Sequence, residues 1–201
     1  MKRILILTTA TLLLAGIANA APIQWDTGTN HNNHWYDVVW LGPSLYWADA
    51  KTFAEGKGGY LATITTGEEN QFVWNFLTNN LADGAEYRSY WLGGYQNDFS
   101  GEPDEGWVWV TDEPWEYANW HPGEPNNGME EMQHYLHFWD TDSGEWDDMD
   151  NGRHVGGYVV EYEQCPVPIP DASTMLLLGS SLIGFAGLSR RTKSRKRSLN
   201  P

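Results

Sequence analysis

Apolar positions change period several times between residues 35 and 163, and the changes outline a series of elements. Trp35 to Leu41 carries Tyr36, Val38, Val39 and Trp40, which suit a pleated surface and predict a strand. Leu45 to Gly56 shifts to helical spacing, with Ser44 available as its N-cap. Gly58-Gly59 ends that helix, and Tyr60 to Ile64 predicts a short strand. Thr66-Gly67-Glu68-Glu69 opens a second helix to about Asn79, with Phe72, Val73, Phe76 and Leu77 on one stripe. Thr66 as N-cap with Glu69 three positions on has the form of a capping box.

Beyond this helix the pattern turns to strands and long loops. Ser89 to Tyr95 and Gly106 to Thr111 predict strands, the second alternating Trp107 and Trp109 against Val108 and Val110. Asp112 to Asn127 reads as loop, rich in Trp, Pro and Asn, and Met132 to Trp139 and Gly157 to Glu163 predict the closing strands. Two helices followed by antiparallel strands place the chain in the α+β class.

The two ends follow other rules. Lys2-Arg3, the apolar stretch Ile4 to Gly16 and Ala18-Asn19-Ala20 have the order of a secretory signal, residues 1–20, cleaved after Ala20. At the far end a proline-rich linker, Pro166 to Pro170, leads to an uncharged run over residues 172–188, the lower edge of a transmembrane helix. The basic cluster Arg190, Arg191, Lys193, Arg195, Lys196 and Arg197 would stay on the cytoplasmic side. Pro168-Ile169-Pro170-Asp171, Ala172-Ser173-Thr174, Leu176-Leu177-Leu178-Gly179-Ser180 and Arg190-Arg191 make residues 166–201 resemble a PEP-CTERM sorting signal, without its usual glutamate. A plain C-terminal anchor has the same outline. The resemblance implies a Gram-negative bacterium, export across the inner membrane to the envelope, surface or medium, and contact with that membrane before processing. One domain, residues 21–165, lies between the two ends.

Charge sharpens this division. The segment from Ala21 to Pro170 holds 26 of the 27 acidic residues but only Lys51, Lys57, Arg88 and Arg153 as bases. Such a surface repels phosphate backbones, excluding nucleic acid as a partner, and attracts cations. Cys165 is the sole cysteine, so no disulfide scaffold exists. All twelve tryptophans fall in this segment and supply large apolar areas for the core instead.

The candidate chemistry sits in Trp120-His121-Pro122-Gly123-Glu124-Pro125-Asn126-Asn127, followed twenty residues on by Trp146-Asp147-Asp148. A cis bond before Pro125 would let Glu124 and Asn126 converge on one point. A carboxylate and an amide oxygen are hard ligands suited to Ca²⁺, with Asp147, Asp148 and an intervening acid to complete the shell. His134 and His137, three apart on a strand, point to opposite faces and do not suggest zinc, nor do His31 and His34. Asp140, Asp142, Glu145 and Asp150 lack the spacing of an EF-hand. Trp115, Tyr117 and Trp120 read as core residues, with stacking on a ligand as the alternative. No nucleophile elbow, phosphate loop or cysteine–histidine pair is present in the folded part, so the chain reads as non-enzymatic.

The ordered set Trp47-Ala48-Asp49-Ala50, Gly58-Gly59-Tyr60-Leu61-Ala62-Thr63-Ile64, Trp91-Leu92-Gly93-Gly94, Trp107 to Asp112, Glu124-Pro125-Asn126 and Trp146-Asp147-Asp148 resembles a disulfide-poor bacterial C-type lectin-like domain. That resemblance implies one Ca²⁺ held jointly by the Glu-Pro-Asn loop and the Trp-Asp-Asp strand. It also implies that a sugar's vicinal hydroxyls complete the coordination, with mannose-, glucose- or fucose-type preference. The ligand set it implies is Glu124, Asn126, Glu130, Asp147 and Asp148, for both metal and carbohydrate. Glu131 and Gln133 remain alternatives to Glu130. Asp147 stands where the family has asparagine, and it has no NH₂ to donate. The expected partner is a glycan or exopolysaccharide. A protein-binding or structural role, with Ca²⁺ only stabilising the loop, is the alternative.

Overall fold

A computed structural model describes residues 21–42, 44–81, 89–128, 132–139, 143–151 and 155–166. The signal-like residues 1–20, the apolar run 172–188 with the rest of the sorting-like segment, and Glu130 and Glu131 lie outside them. Among the described residues no helix is long and apolar enough to cross a membrane.

Strand β8 (Gly157–Tyr162) is buried at every position, as befits a strand covered on both faces. Tyr158, Val160 and Tyr162 share one core with Trp47, Ala50 and Ala54 of helix α1 (Trp47–Gly56). Val159, of the opposite parity, joins a second core with Val73, Trp74, Phe76 and Leu77 of helix α2 (Gly67–Asn79). The remaining strands are β1 (Ile23–Gln24), β2 (Trp35–Trp40), β3 (Tyr60–Leu61), β4 (Tyr90–Gln96), β5 (Trp107–Trp109), β6 (Tyr135–Phe138) and β7 (Trp146–Met149). The sheet runs β1-β2-β8-β4-β6-β7, with β3 on β8 and β5 on β4. β4 and β8 pair in parallel and the other pairings are antiparallel, which gives the expected α+β architecture a mixed sheet.

Several predicted boundaries shift, each for a nameable reason. Ser44 does not cap α1. The Leu45 N–H bonds the Val155 carbonyl and its own carbonyl accepts from Trp91 Nε1, which delays the helix to Trp47. Its first N–H is capped from afar, by Asn151 Oδ1 at 2.9 Å. β3 stops at Leu61 because the Thr63 N–H donates to the Glu161 carboxylate rather than to a strand. β6 begins only at Tyr135, since the Gln133 N–H is held by Asn127 Oδ1. β5 ends at Trp109, with Asp112 in a positive-φ turn just beyond.

In α2 the predicted box forms by half. Thr66 Oγ1 accepts from the Glu69 N–H at 3.2 Å, while the Glu69 carboxylate turns to the Thr65 N–H, the Thr65 hydroxyl and the Tyr36 hydroxyl. Tyr36 on β2 thereby joins α2 to β8, because Glu161 also accepts from it and sits 2.6 Å from His34 Nδ1. Burial pushes the Glu161 carboxyl up to about 7 and raises that of Glu69 as well.

Trp115 and Trp120 pack on the second core, their rings 4.4 Å from Trp109 and 4.8 Å from Trp107 respectively. At Gly93 on β4 the chains approach so closely that a β-carbon would lie 2.5 Å from the Leu61 carbonyl oxygen. Gly93→Ala is therefore expected to destabilise the domain by about 1–3 kcal/mol, as overpacked cores do, and urea unfolding would measure the loss.

Candidate functional site

The loop ahead of Glu124 is zipped along β7. Trp146 donates its N–H to the Asn119 carbonyl and accepts from the His121 N–H, both at 2.8 Å. The Glu124 N–H turns back to the His121 carbonyl, with Gly123 at φ 101° making the bend. The Glu124–Pro125 bond is cis. Past it, the Asn126 and Asn127 N–H groups donate to Asp148 Oδ1 and Oδ2 at 2.9 and 2.7 Å. One carboxylate on β7 thus fixes the backbone of the turn, and stretches twenty residues apart in sequence meet.

Around this junction Glu124, Asp147 and Asp148 each present an oxygen within 4.8 Å of the other two. Among the described residues it is the only cluster of three or more His, Cys, Asp or Glu with this geometry. Asp147 and Asp148 are buried and Glu124 is half-buried. His137, opposite Asp147 in the β6–β7 register, places Nε2 3.0 Å from Asp147 Oδ2, while its Nδ1 faces the Phe138 carbonyl at 2.7 Å. That contact holds one Asp147 oxygen.

Electrostatics mark the cluster as short of positive charge. Burial, and then the charges of Asp147 and Asp148, push the Glu124 carboxyl up to about 8. Asp148 is raised too, burial outweighing its two N–H donors. Glu124 Oε2 is buried with no hydrogen-bond partner, a costly state for a carboxylate oxygen. An all-oxygen, strongly anionic donor set with one orphaned buried oxygen fits a hard divalent cation such as Ca²⁺.

The expected ligands divide into three cases. Glu124, Asp147 and Asp148 are brought together. Asn126 adjoins them through its N–H on Asp148, with its Oδ1 accepting from the Gly128 N–H. Glu130 and its alternative Glu131 lie outside the described residues, whereas Gln133 is buried with Nε2 turned to the Met149 sulfur. His134 and His137 go to separate partners, His134 to Gln96 and Glu102 and His137 to Asp147.

Sequence reasoning missed His137, Asn127 and Glu102. Asn127, buried and at positive φ, donates its amide to the Glu102 carboxylate and accepts the Gln133 N–H. The chain has three Glu-Pro pairs, at 102–103, 113–114 and 124–125, and Glu102-Pro103 is cis like Glu124-Pro125.

The description "Lectin C-type domain" matches residues 44–155, more than half of the chain. Perlucin-like protein of Mytilus galloprovincialis is 37% identical over 114 residues, 56% of this chain and 67% of that protein. Among solved structures, the C-type carbohydrate-recognition domain of cow CD23, determined in the presence of a GlcNAc2Man3 oligosaccharide, is 25% identical with a TM-score of 0.52. The match covers 72% of this chain and 96% of that one. The C-type lectin CEL-I from Cucumaria echinata reaches a TM-score of 0.53 at 18% identity, over 71% of this chain and 97% of its own, a likeness of fold alone. By motif order, fold and matched length, this chain belongs to the C-type lectin domain family, whose members are non-catalytic binding modules.

Proposed function

We propose that the chain is an exported Ca²⁺-dependent carbohydrate-binding module of a Gram-negative envelope or exopolysaccharide, recognising mannose-, glucose- or fucose-type diols. The observation that carries this reading is the convergence of Glu124, Asp147 and Asp148 within 4.8 Å, one buried oxygen among them lacking a partner. Glu124, Asn126, Asp147, Asp148 and Glu130 are the residues we assign to the ion and the sugar. A bound Ca²⁺ would supply coordination positions for two neighbouring hydroxyls. In this reading Glu124 accepts a hydroxyl hydrogen and Asn126, whose side chain is exposed, donates its side-chain amide N–H. The signal-like start and sorting-like end of the sequence support the envelope location.

A specific observation favours a second reading. Asp147 stands at the family's asparagine position, and one of its oxygens is engaged by His137. It therefore accepts but cannot donate to a sugar, and a site in which Ca²⁺ only stiffens the loop for a protein partner would have this form. A glycan array run with Ca²⁺ and with chelator separates the two. Signals that vanish on chelation support sugar recognition, and a folded, Ca²⁺-loaded protein silent on every glycan supports the second reading.

Proton competition supplies a further prediction. A Glu124 carboxyl raised to about 8 must lose its proton before it can ligate a metal. Apparent Ca²⁺ affinity should therefore rise with pH, by up to about tenfold per unit between pH 6 and 8, and flatten above. Calcium titrations at pH 6, 7 and 8 would show this directly.

A further inference from the structure

Asn127 grips β7 through its backbone, and that backbone itself needs holding. Its N–H donates to Asp148 Oδ2 at 2.7 Å, while its φ of 47° lies in the left-handed region, which residues with a side chain adopt at a cost. Both ends of its buried side chain are engaged. Oδ1 accepts the Gln133 N–H at 3.0 Å, and the amide nitrogen donates to the Glu102 carboxylate. Glu102 comes from the loop between β4 and β5, 25 residues earlier, and it stands on a firm base. Its other oxygen, Oε1, lies 3.3 Å from His134 Nδ1, which is also 3.0 Å from Gln96 Oε1. The loop around it is pinned in turn. Gln96 Nε2 donates to the carbonyls of Pro103 and Glu105, Trp107 Nε1 also donates to Pro103, and the Asn97 N–H bonds the Gly106 carbonyl.

Glu102 is not a member of the Glu124, Asp147 and Asp148 cluster. Its carboxylate reaches that cluster through the Asn127 amide and then the Asn127 N–H on Asp148. Side chains that orient metal ligands without touching the ion raise affinity, because the ligands are ordered before the ion arrives. We propose that Glu102 is a positioning residue for the ion site, holding Asn127 so that Asp148 and the turn from Glu124 to Asn126 keep the spacing an ion needs. The inference rests on the Ca²⁺ reading above and deepens it, since it makes the β4–β5 loop a determinant of the site's affinity. A carboxylate can also help a nearby cation by charge alone, and the two roles rank two conservative variants in opposite order. Glu102→Gln keeps an accepting oxygen at full reach of the Asn127 amide but has no charge. Glu102→Asp keeps the charge but is one methylene too short.

The test is calorimetric Ca²⁺ titration at pH 8 of the full chain and these variants, each checked for folding by circular dichroism, with Ca²⁺-free melting curves alongside. Glu102→Asp should weaken Ca²⁺ binding about tenfold, whereas Glu102→Gln should retain most of the affinity. In an Asn127→Ala background, itself weakened, Glu102→Asp should cause no further loss, because the effect passes through that side chain. Equal Kd values for the native chain and both Glu102 variants, with only the Ca²⁺-free Tm shifted, would reduce Glu102 to a structural residue and overturn the proposal. A greater loss for Glu102→Gln than for Glu102→Asp would assign the effect to charge and overturn it as well. So would a loss for Glu102→Asp that persists undiminished beside Asn127→Ala. A folded native chain that takes up no Ca²⁺ would instead overturn the Ca²⁺ reading, and the positioning role with it.

Discussion

Replacing Asp148 by alanine is expected to lower the stability of the Ca²⁺-free protein by about 2–4 kcal/mol, roughly 8–16 °C in Tm. The side chain is fully buried, and its two oxygens are the acceptors for the Asn126 and Asn127 N–H groups. Alanine leaves both donors without their acceptor. Removing a buried charge returns part of that loss, since burial already penalises the ionised form. Asparagine keeps one accepting oxygen and should cost about half as much. The Ca²⁺-induced rise in Tm should disappear in both variants. A Ca²⁺-free Asp148→Ala protein that melts within a degree of the original would show that Asp148 does not organise the turn.

Glu124→Gln should behave in the opposite way. Glu124 Oε2 has no partner to lose, and its carboxyl is raised by burial and by two neighbouring acids. Neutralising it relieves repulsion, so the Ca²⁺-free variant should melt at or above the temperature of the original at pH 8. With Ca²⁺ the order reverses. A site-bearing protein gains about 2.7 kcal/mol at a hundredfold excess over Kd, roughly 10 °C here, and the variant should lose that response. Paired melting curves with Ca²⁺ and with chelator, read against those of Asp148→Ala, separate an ion-binding role from a structural one. A variant that keeps the full response would remove Glu124 from the ligand set.

What the sequence revealed and what it hid divides along contact range. Helix α2 was legible because its signals are local: a stripe of Val73, Phe76 and Leu77, and Thr66 three positions before Glu69. The junction of Glu124-Pro125-Asn126 with Asp147-Asp148 was legible because a resemblance in motif order stood in for distance information. Ser44 misled because the α1 cap comes from Asn151, over a hundred residues away. β1 was overlooked because two residues, Ile23 and Gln24, carry no periodicity and are strand only by pairing with Tyr36 and Trp35. His137 was set aside as a zinc ligand but not seen as the partner of Asp147, because that pairing depends on the β6–β7 register. The Glu69–Tyr36–Glu161 cluster joins a helix to two strands, and no local rule predicts two buried carboxylates so close together.

Direct calcium titration of the full chain by calorimetry at pH 8, beside Glu124→Gln, probes the convergence of carboxylates most closely. One ion per chain for the native sequence, with its binding heat lost in the variant, is the expected result. A native protein that is folded by circular dichroism yet takes up no Ca²⁺, or takes it up equally after Glu124→Gln, would contradict the account.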